Sequence, residues 1–158
     1  MQTPKILSFL TLTALAVLLV PNHSEAASSI ASPAQTRAVL ANADRAVSRG
    51  DADHALTILS RHQGLLARSG ADAERASIAC QAHFLKADFA EAVEQCSIAI
   101  DSRSAHWSDF NNRGAARMRS GDWSGAIADF TTAREMNPAS VEVRKNLSHT
   151  RAALKASN

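Results

Sequence analysis

Aromatic residues are scarce in this sequence. Tyrosine is absent, and phenylalanine and tryptophan together make up 4% of the chain. No stretch alternates apolar and polar residues in the way that a half-buried strand does. Alanine, in contrast, is abundant, and it combines high helix propensity with a side chain small enough for close helix contacts. The composition therefore predicts an all-α protein.

A large excess of charge of either sign is also lacking. The chain has 17 Lys and Arg residues against 15 Asp and Glu residues, which gives a formal net charge of +2. Nucleic-acid-binding domains usually carry a clear basic excess on one face. We therefore predict no nucleic-acid partner. The length of 158 residues suits one domain rather than two.

Motifs that would carry catalysis or bind a metal ion are missing. The histidines are scattered without metal-ligand spacing, and there is neither a Gly-rich phosphate loop nor a Gly-x-Ser-x-Gly elbow. The two cysteines do not form a Cys-x-x-Cys motif. The sequence therefore predicts a protein that is not an enzyme and needs no cofactor or metal ion.

One long apolar run lies near the start of the chain. Lys5 precedes "ILSFLTLTALAVLLV" at 6–20, and the small residues Ser24 and Ala26 flank a plausible cleavage point. A helix over this run would reach only about 22 Å, short of the ~30 Å hydrocarbon core of a bilayer. We predict that 1–26 is a cleaved export signal peptide.

This prediction determines the expected location of the protein. After cleavage, a flexible segment at 27–35 would begin the mature chain, which would have no membrane insertion. No cysteine directly follows the apolar run, so a lipid anchor is disfavoured. The bacterial periplasm is the predicted compartment. Secretion outside the cell, or tethering by an uncleaved signal, stays open.

The rest of the chain contains an internal repeat. A shift of 34 residues places small or apolar residues on small or apolar residues without a gap. The matched pairs are Gly114 with Cys80, Ala126 with Ala92, Phe130 with Cys96, and Ala133 with Ala99. A weaker upstream copy contains Ala55 and Leu59. It is displaced by three more residues, which we assign to 62–71.

The repeat resembles the tetratricopeptide repeat (TPR) family, whose unit is two antiparallel helices. The best copy, 107–140, has the repeat signature at Gly114, Ala126, Phe130, Ala133 and Pro138. The resemblance implies a right-handed α-solenoid of three helix pairs and a capping helix. The expected units are 36–72 with an insertion, 73–106, 107–140, and the capping helix and tail at 141–158.

Two arginines depart from the family pattern. Arg113 and Arg117 occupy positions where the family usually has large apolar residues. We expect loose packing beneath the third copy, with these side chains extended toward solvent. Acidic residues occur singly on the predicted helices, and we expect them on solvated faces.

The two cysteines, Cys80 and Cys96, are equidistant from the turn of the second repeat. Residues equidistant from the turn of an antiparallel hairpin lie at the same height, and packed helices bring facing Cα atoms within disulfide range. An oxidising compartment would preserve such a bond. We predict a disulfide, with two buried free thiols as the alternative.

The resemblance also implies a binding surface, because the first helix of each repeat lines a groove that receives a peptide or partner segment. By position in the repeat, the groove residues would be Ile78, Gln81, Phe84, Leu85, Asn111, Asn112, Met118, Arg119 and Lys145. The predicted function is a non-catalytic protein–protein interaction module in an exported compartment. A redox-responsive module controlled by Cys80 and Cys96, and a structural component of a cell-envelope assembly, are the alternatives.

Overall fold

The computed structural model describes residues 32–157, which form eight α-helices and no strand. The signal peptide predicted at 1–26, and the following residues up to 31, lie outside these described residues. The helices are α1 (Pro33–Ser48), α2 (Ala52–Arg61), α3 (Gln63–Ser69), α4 (Asp72–Leu85), α5 (Phe89–Ile100), α6 (Trp107–Arg119), α7 (Trp123–Met136) and α8 (Val141–Ser157). None of them is both long and apolar enough to cross a bilayer.

Three helix pairs follow one another along the chain. The pairs are α1 with α2, α4 with α5, and α6 with α7, and α8 packs on the last pair. The first helices of the pairs also touch one another, because α4 contacts both α1 and α6, and α6 contacts α8. Four helices, α1, α4, α6 and α8, therefore form one continuous surface.

Equivalent turns connect the helices within each pair. Gly50 and Gly121 both have positive φ, of 77° and 85°, and each precedes an aspartate that caps the next helix. Ala87 occupies the equivalent position in the second repeat and also has a positive φ, of 61°. Because Cβ makes this conformation unfavourable by roughly 1–2 kcal/mol, the turn of the second repeat is held by the packing around it.

The insertion in the first repeat is helical. Residues 62–71 contain α3, and Gly70, with a φ of 71°, caps its C-terminal end. Leu66 of α3 is fully buried in a cluster that includes Leu40 of α1 and Ile78 of α4. The extra residues therefore add to the core of the first repeat. Helix α1 begins at Pro33, earlier than the predicted boundary at residue 36, with proline in the first turn, where it costs no backbone hydrogen bond.

The core is built largely from alanine. Ala43, Ala55, Ala92 and Ala126 are all completely buried, one or more in each helix pair. Among residues 32–157, Phe130 is the largest fully buried side chain. A Cβ atom on Gly114 would lie only 2.9 Å from the Phe130 ring, so the third repeat requires glycine at this position.

The predicted disulfide between Cys80 and Cys96 is confirmed. Both residues are fully buried, and their Cα atoms are 5.1 Å apart. These cysteines occupy the positions that Gly114 and Phe130 occupy in the third repeat. A covalent bond between α4 and α5 thus replaces the glycine–phenylalanine contact between α6 and α7.

Removing this bond is expected to destabilise the protein. The double variant Cys80→Ala/Cys96→Ala should lose about 3 kcal/mol of unfolding free energy, because the bond closes a loop of 16 residues in the unfolded chain. Urea denaturation with and without reductant measures the loss. The control variant Cys80→Gly/Cys96→Phe copies the residues of the third repeat. Its urea midpoint should be the same with and without reductant. An unchanged urea midpoint for the reduced wild-type protein would refute a stabilising role.

Candidate partner-binding groove

A groove of about 440 Å³ lies on the surface formed by α1, α4, α6 and α8. Seven of the nine predicted groove residues line it: Gln81, Phe84, Leu85, Asn111, Asn112, Met118 and Arg119. Ile78 is only 5% exposed and belongs mainly to the core, although it lines a shallow pocket beside α1. Lys145 is exposed on α8 next to the groove without lining it.

The floor of the groove is apolar at one end. Phe84 and Leu85 form the last turn of α4, and Met118 lies near the end of α6. The Phe84 ring packs against Phe89, with 5.7 Å between ring centroids, and Leu85 is 49% exposed. Apolar side chains held open to solvent in this way are a common feature of ligand-binding pockets.

The opposite wall is polar and joins α6 to α8. The Asn111 Nδ2 donates a hydrogen bond of 3.0 Å to Glu142 Oε1. The Asn111 Oδ1 accepts a bond of 3.0 Å from Asn146 Nδ2. Asn111 is only 3% exposed, so its amide is fixed in orientation and in turn fixes the Glu142 carboxylate at the rim.

Besides the seven predicted residues, five more line the groove: Val47, Ser48, Ala115, Glu142 and Asn146. Glu142 and Asn146 are four residues apart on α8, so they share one helix face. That spacing was visible in the sequence. The sequence did not show that this face of α8 continues the groove. That arrangement depends on the hydrogen bonds between Asn111 and the two α8 residues.

Arg119 carries the positive charge of the groove. Its guanidinium carbon lies 5.5 Å from the centroid of the Phe89 ring, a cation–π geometry that holds the side chain beside the apolar floor. Among residues 32–157, no carboxylate lies within ion-pairing distance of it. Arg119 is exposed and remains available to a ligand.

The expectation for the other two arginines was wrong. Arg113 binds both oxygens of Asp129, with Nη2 to Oδ1 at 2.7 Å and Nε to Oδ2 at 3.0 Å. Arg117 Nη1 donates to the same Oδ2 at 2.8 Å. The Asp129 side chain is only 4% exposed, so this acidic residue does not lie on a solvated face. A buried ionic network, also bonded to Ser97, replaces the apolar packing of the family pattern.

A separate, polar pocket of about 280 Å³ is lined by serine, histidine and aspartate side chains, among others. His106 Nδ1 lies 2.8 Å from Ser108 Oγ. The Asp109 carboxylate accepts bonds from Ser77 Oγ and from the backbone N–H of His106, not from the imidazole ring. The arrangement therefore differs from a Ser–His–Asp triad, in which the carboxylate orients the ring. Within the described part of the chain, no three His, Cys, Asp or Glu side chains converge as a metal site.

Comparison with known proteins gives matches at the level of structure. No protein-family model and no curated protein sequence matches the chain. The second TPR domain of the human RPAP3 protein superposes with a TM-score of 0.66 at 22% identity, covering 76% of this chain and 98% of the human domain. The first TPR domain of RPAP3 gives a TM-score of 0.71 at 19% identity, covering 79% of this chain and 96% of that domain.

The chain has a TPR fold. The predicted all-α, TPR-like architecture is confirmed by these superpositions. The human RPAP3 domain of the first comparison was solved in complex with the HSP70 peptide SGPTIEEVD.

Proposed function

We propose that this TPR protein is a non-catalytic module that binds an extended peptide or partner segment in its groove. The open groove carries this proposal. It combines an apolar floor, in which Leu85 is exposed and Met118 is half-buried, with an available guanidinium at Arg119 and a fixed amide at Asn111. Apolar side chains would anchor a segment, and the polar groups would select its sequence.

The peptide complex of the human RPAP3 domain supports the same type of function. Helix-pair repeats bind partners on extended surfaces created by stacking, which is the surface formed here by α1, α4, α6 and α8. The groove belongs to three repeats and the capping helix, so binding requires the complete array.

The compartment that we propose is an exported one, with the periplasm as the most specific assignment. The apolar run at 6–20 behind Lys5 supports export. The buried disulfide between Cys80 and Cys96 supports an oxidising environment, because the cytosol keeps most thiols reduced. Fractionation of cells that express the tagged protein tests this. A mature N-terminus at Ala27 in the periplasmic fraction is the expected result.

A groove variant tests the binding function. A random-peptide display selection on the purified protein supplies ligands, and Leu85→Asp should weaken the selected peptides at least about 30-fold by fluorescence anisotropy. The charge would face the apolar part of the ligand, and loss of a central anchor costs about 2 kcal/mol or more. Leu85 is half-exposed, so folding should be retained.

The matched control is Ile98→Asp on α5. Ile98 is 39% exposed and does not line the groove, so the same chemical change there should leave peptide affinity unchanged. A selection that yields no ligand, or equal losses for both variants, would contradict groove binding. Loss in Ile98→Asp alone would favour a structural protein bound through the opposite side.

A further inference from the structure

We infer, on the basis of the proposed function, that the groove selects segments carrying a cationic side chain and an acidic side chain three or four residues apart. The apolar residues of such a segment would lie between the two charged side chains, next to the acidic side chain. The juxtaposition that carries this inference is Glu142 at one end of the groove and Arg119, beside the apolar floor, at the other.

Glu142 and Arg119 are the formally charged residues among those that line the groove. Neither forms an ion pair with any residue in 32–157. Glu142 accepts the Asn111 bond through Oε1, and no other hydrogen bond of the described residues uses its Oε2. One fixed negative and one available positive charge therefore face the same cavity.

The separation of the two charges follows from α6. Asn111 binds Glu142, so the negative site lies level with residue 111 of this helix. Arg119 comes eight residues later, a rise of about 12 Å along the axis. An extended peptide advances about 3.3 Å per residue. Oppositely charged side chains at i and i+3 or i+4 of such a peptide match this separation.

The apolar floor gives the ligand a direction. Phe84 and Leu85 end α4, and Met118 directly precedes Arg119, so the floor lies at the positive end of the groove. In a segment whose apolar residues lie next to its acidic side chain, the acidic side chain would meet Arg119 and the apolar residues would meet the floor. The reversed arrangement would place apolar side chains against the Asn111 and Asn146 amides.

The same charges predict discrimination against acidic peptides. The HSP70 peptide SGPTIEEVD, bound by the human RPAP3 domain, contains two glutamates and an aspartate near its end and no basic residue. In this groove, the peptide would offer no basic side chain to pair with Glu142. The Glu142 carboxylate would instead face a ligand of like charge. This peptide therefore serves as a probe that should bind poorly.

The test uses five fluorescein-labelled synthetic peptides and fluorescence anisotropy. Four have blocked termini and the core X-Ala-Leu-Phe-Z, with X and Z being Lys and Glu, Glu and Glu, Lys and Lys, or Gln and Gln. The fifth is SGPTIEEVD. The Lys/Glu peptide should bind about tenfold more tightly than the Glu/Glu peptide and SGPTIEEVD. This difference should shrink as salt concentration rises, because exposed charges are screened.

Protein variants assign the discrimination to Glu142. Glu142→Lys should reverse the preference, so that the Glu/Glu peptide binds more tightly than the Lys/Glu peptide. Glu142→Gln retains an oxygen acceptor for Asn111 and should abolish the difference. Glu135→Lys makes the same charge change at an exposed position on α7 outside the groove and should change nothing.

Two failures are distinguishable. Equal affinities of all five peptides for wild type and for Glu142→Lys, with binding still lost in Leu85→Asp, would overturn the charge selection while the groove function stands. Failure of every peptide to bind, the neutral one and the display-selected ones included, would overturn the proposed function together with this inference.

Discussion

Replacing Asp129 by alanine is expected to lower the free energy of unfolding by about 3–5 kcal/mol, the usual cost of removing one partner from a buried ion pair. The Asp129 carboxylate accepts three hydrogen bonds from Arg113 and one from Arg117. The Arg113 side chain is only 15% exposed. Without the carboxylate, a guanidinium would remain in a site that water reaches poorly.

Urea denaturation measures this loss, and two variants separate charge from shape. Asp129→Asn retains an oxygen acceptor and should lose less than Asp129→Ala. The triple variant Arg113→Met/Arg117→Met/Asp129→Leu, which removes all three charges, should recover most of the stability, because apolar replacement of a buried ionic network is often neutral or stabilising. A triple variant as unstable as Asp129→Ala would show that the loss comes from packing rather than from the unpaired charge.

Phe130→Ala is expected to cost a similar amount, about 3–5 kcal/mol, through the cavity that it leaves. Phe130 is fully buried against Gly114 on one side and belongs to the cluster with Ala126 and Leu147 of α8. The small neighbours Gly114 and Ala126 cannot fill the cavity, because glycine and alanine have no side-chain atoms beyond Cβ that could move into it. Thermal and urea denaturation give the loss.

Glu135→Ala, at an exposed position on the same helix, controls for the change in helix propensity and should stay within about 0.5 kcal/mol of wild type. Phe130→Leu should fall between the two, since it fills part of the volume. A Phe130→Ala variant as stable as Glu135→Ala would contradict the central role of this contact.

The architecture was predictable because it depends on repetition. A fixed spacing of small and large residues, such as Gly114 with Phe130, predicts which helices touch without knowledge of the full packing. The same spacing placed Cys80 opposite Cys96, and the bond is present. Helix α3 could not be predicted in this way, because the insertion has no counterpart in the other repeats.

The polar contacts were harder to predict than the apolar ones. The partner of Arg113 is Asp129, which is 16 residues away on another helix, and nothing in its local sequence distinguishes it from a solvated aspartate. The face of α8 that carries Glu142 likewise became part of the groove only through the Asn111 amide. Such pairings depend on side-chain geometry between helices, which a one-dimensional pattern does not contain.

Helix α8 belongs to both the core and the groove. Val143 and Leu147 on one face are buried, and Glu142 and Asn146 on another line the groove. Terminal units of a repeat array open most easily, because they have a neighbour on only one side. Opening of α8 would remove the negative end of the groove, so ligand binding and docking of this helix are thermodynamically linked. A ligand that contacts Glu142 therefore stabilises the docked position of α8.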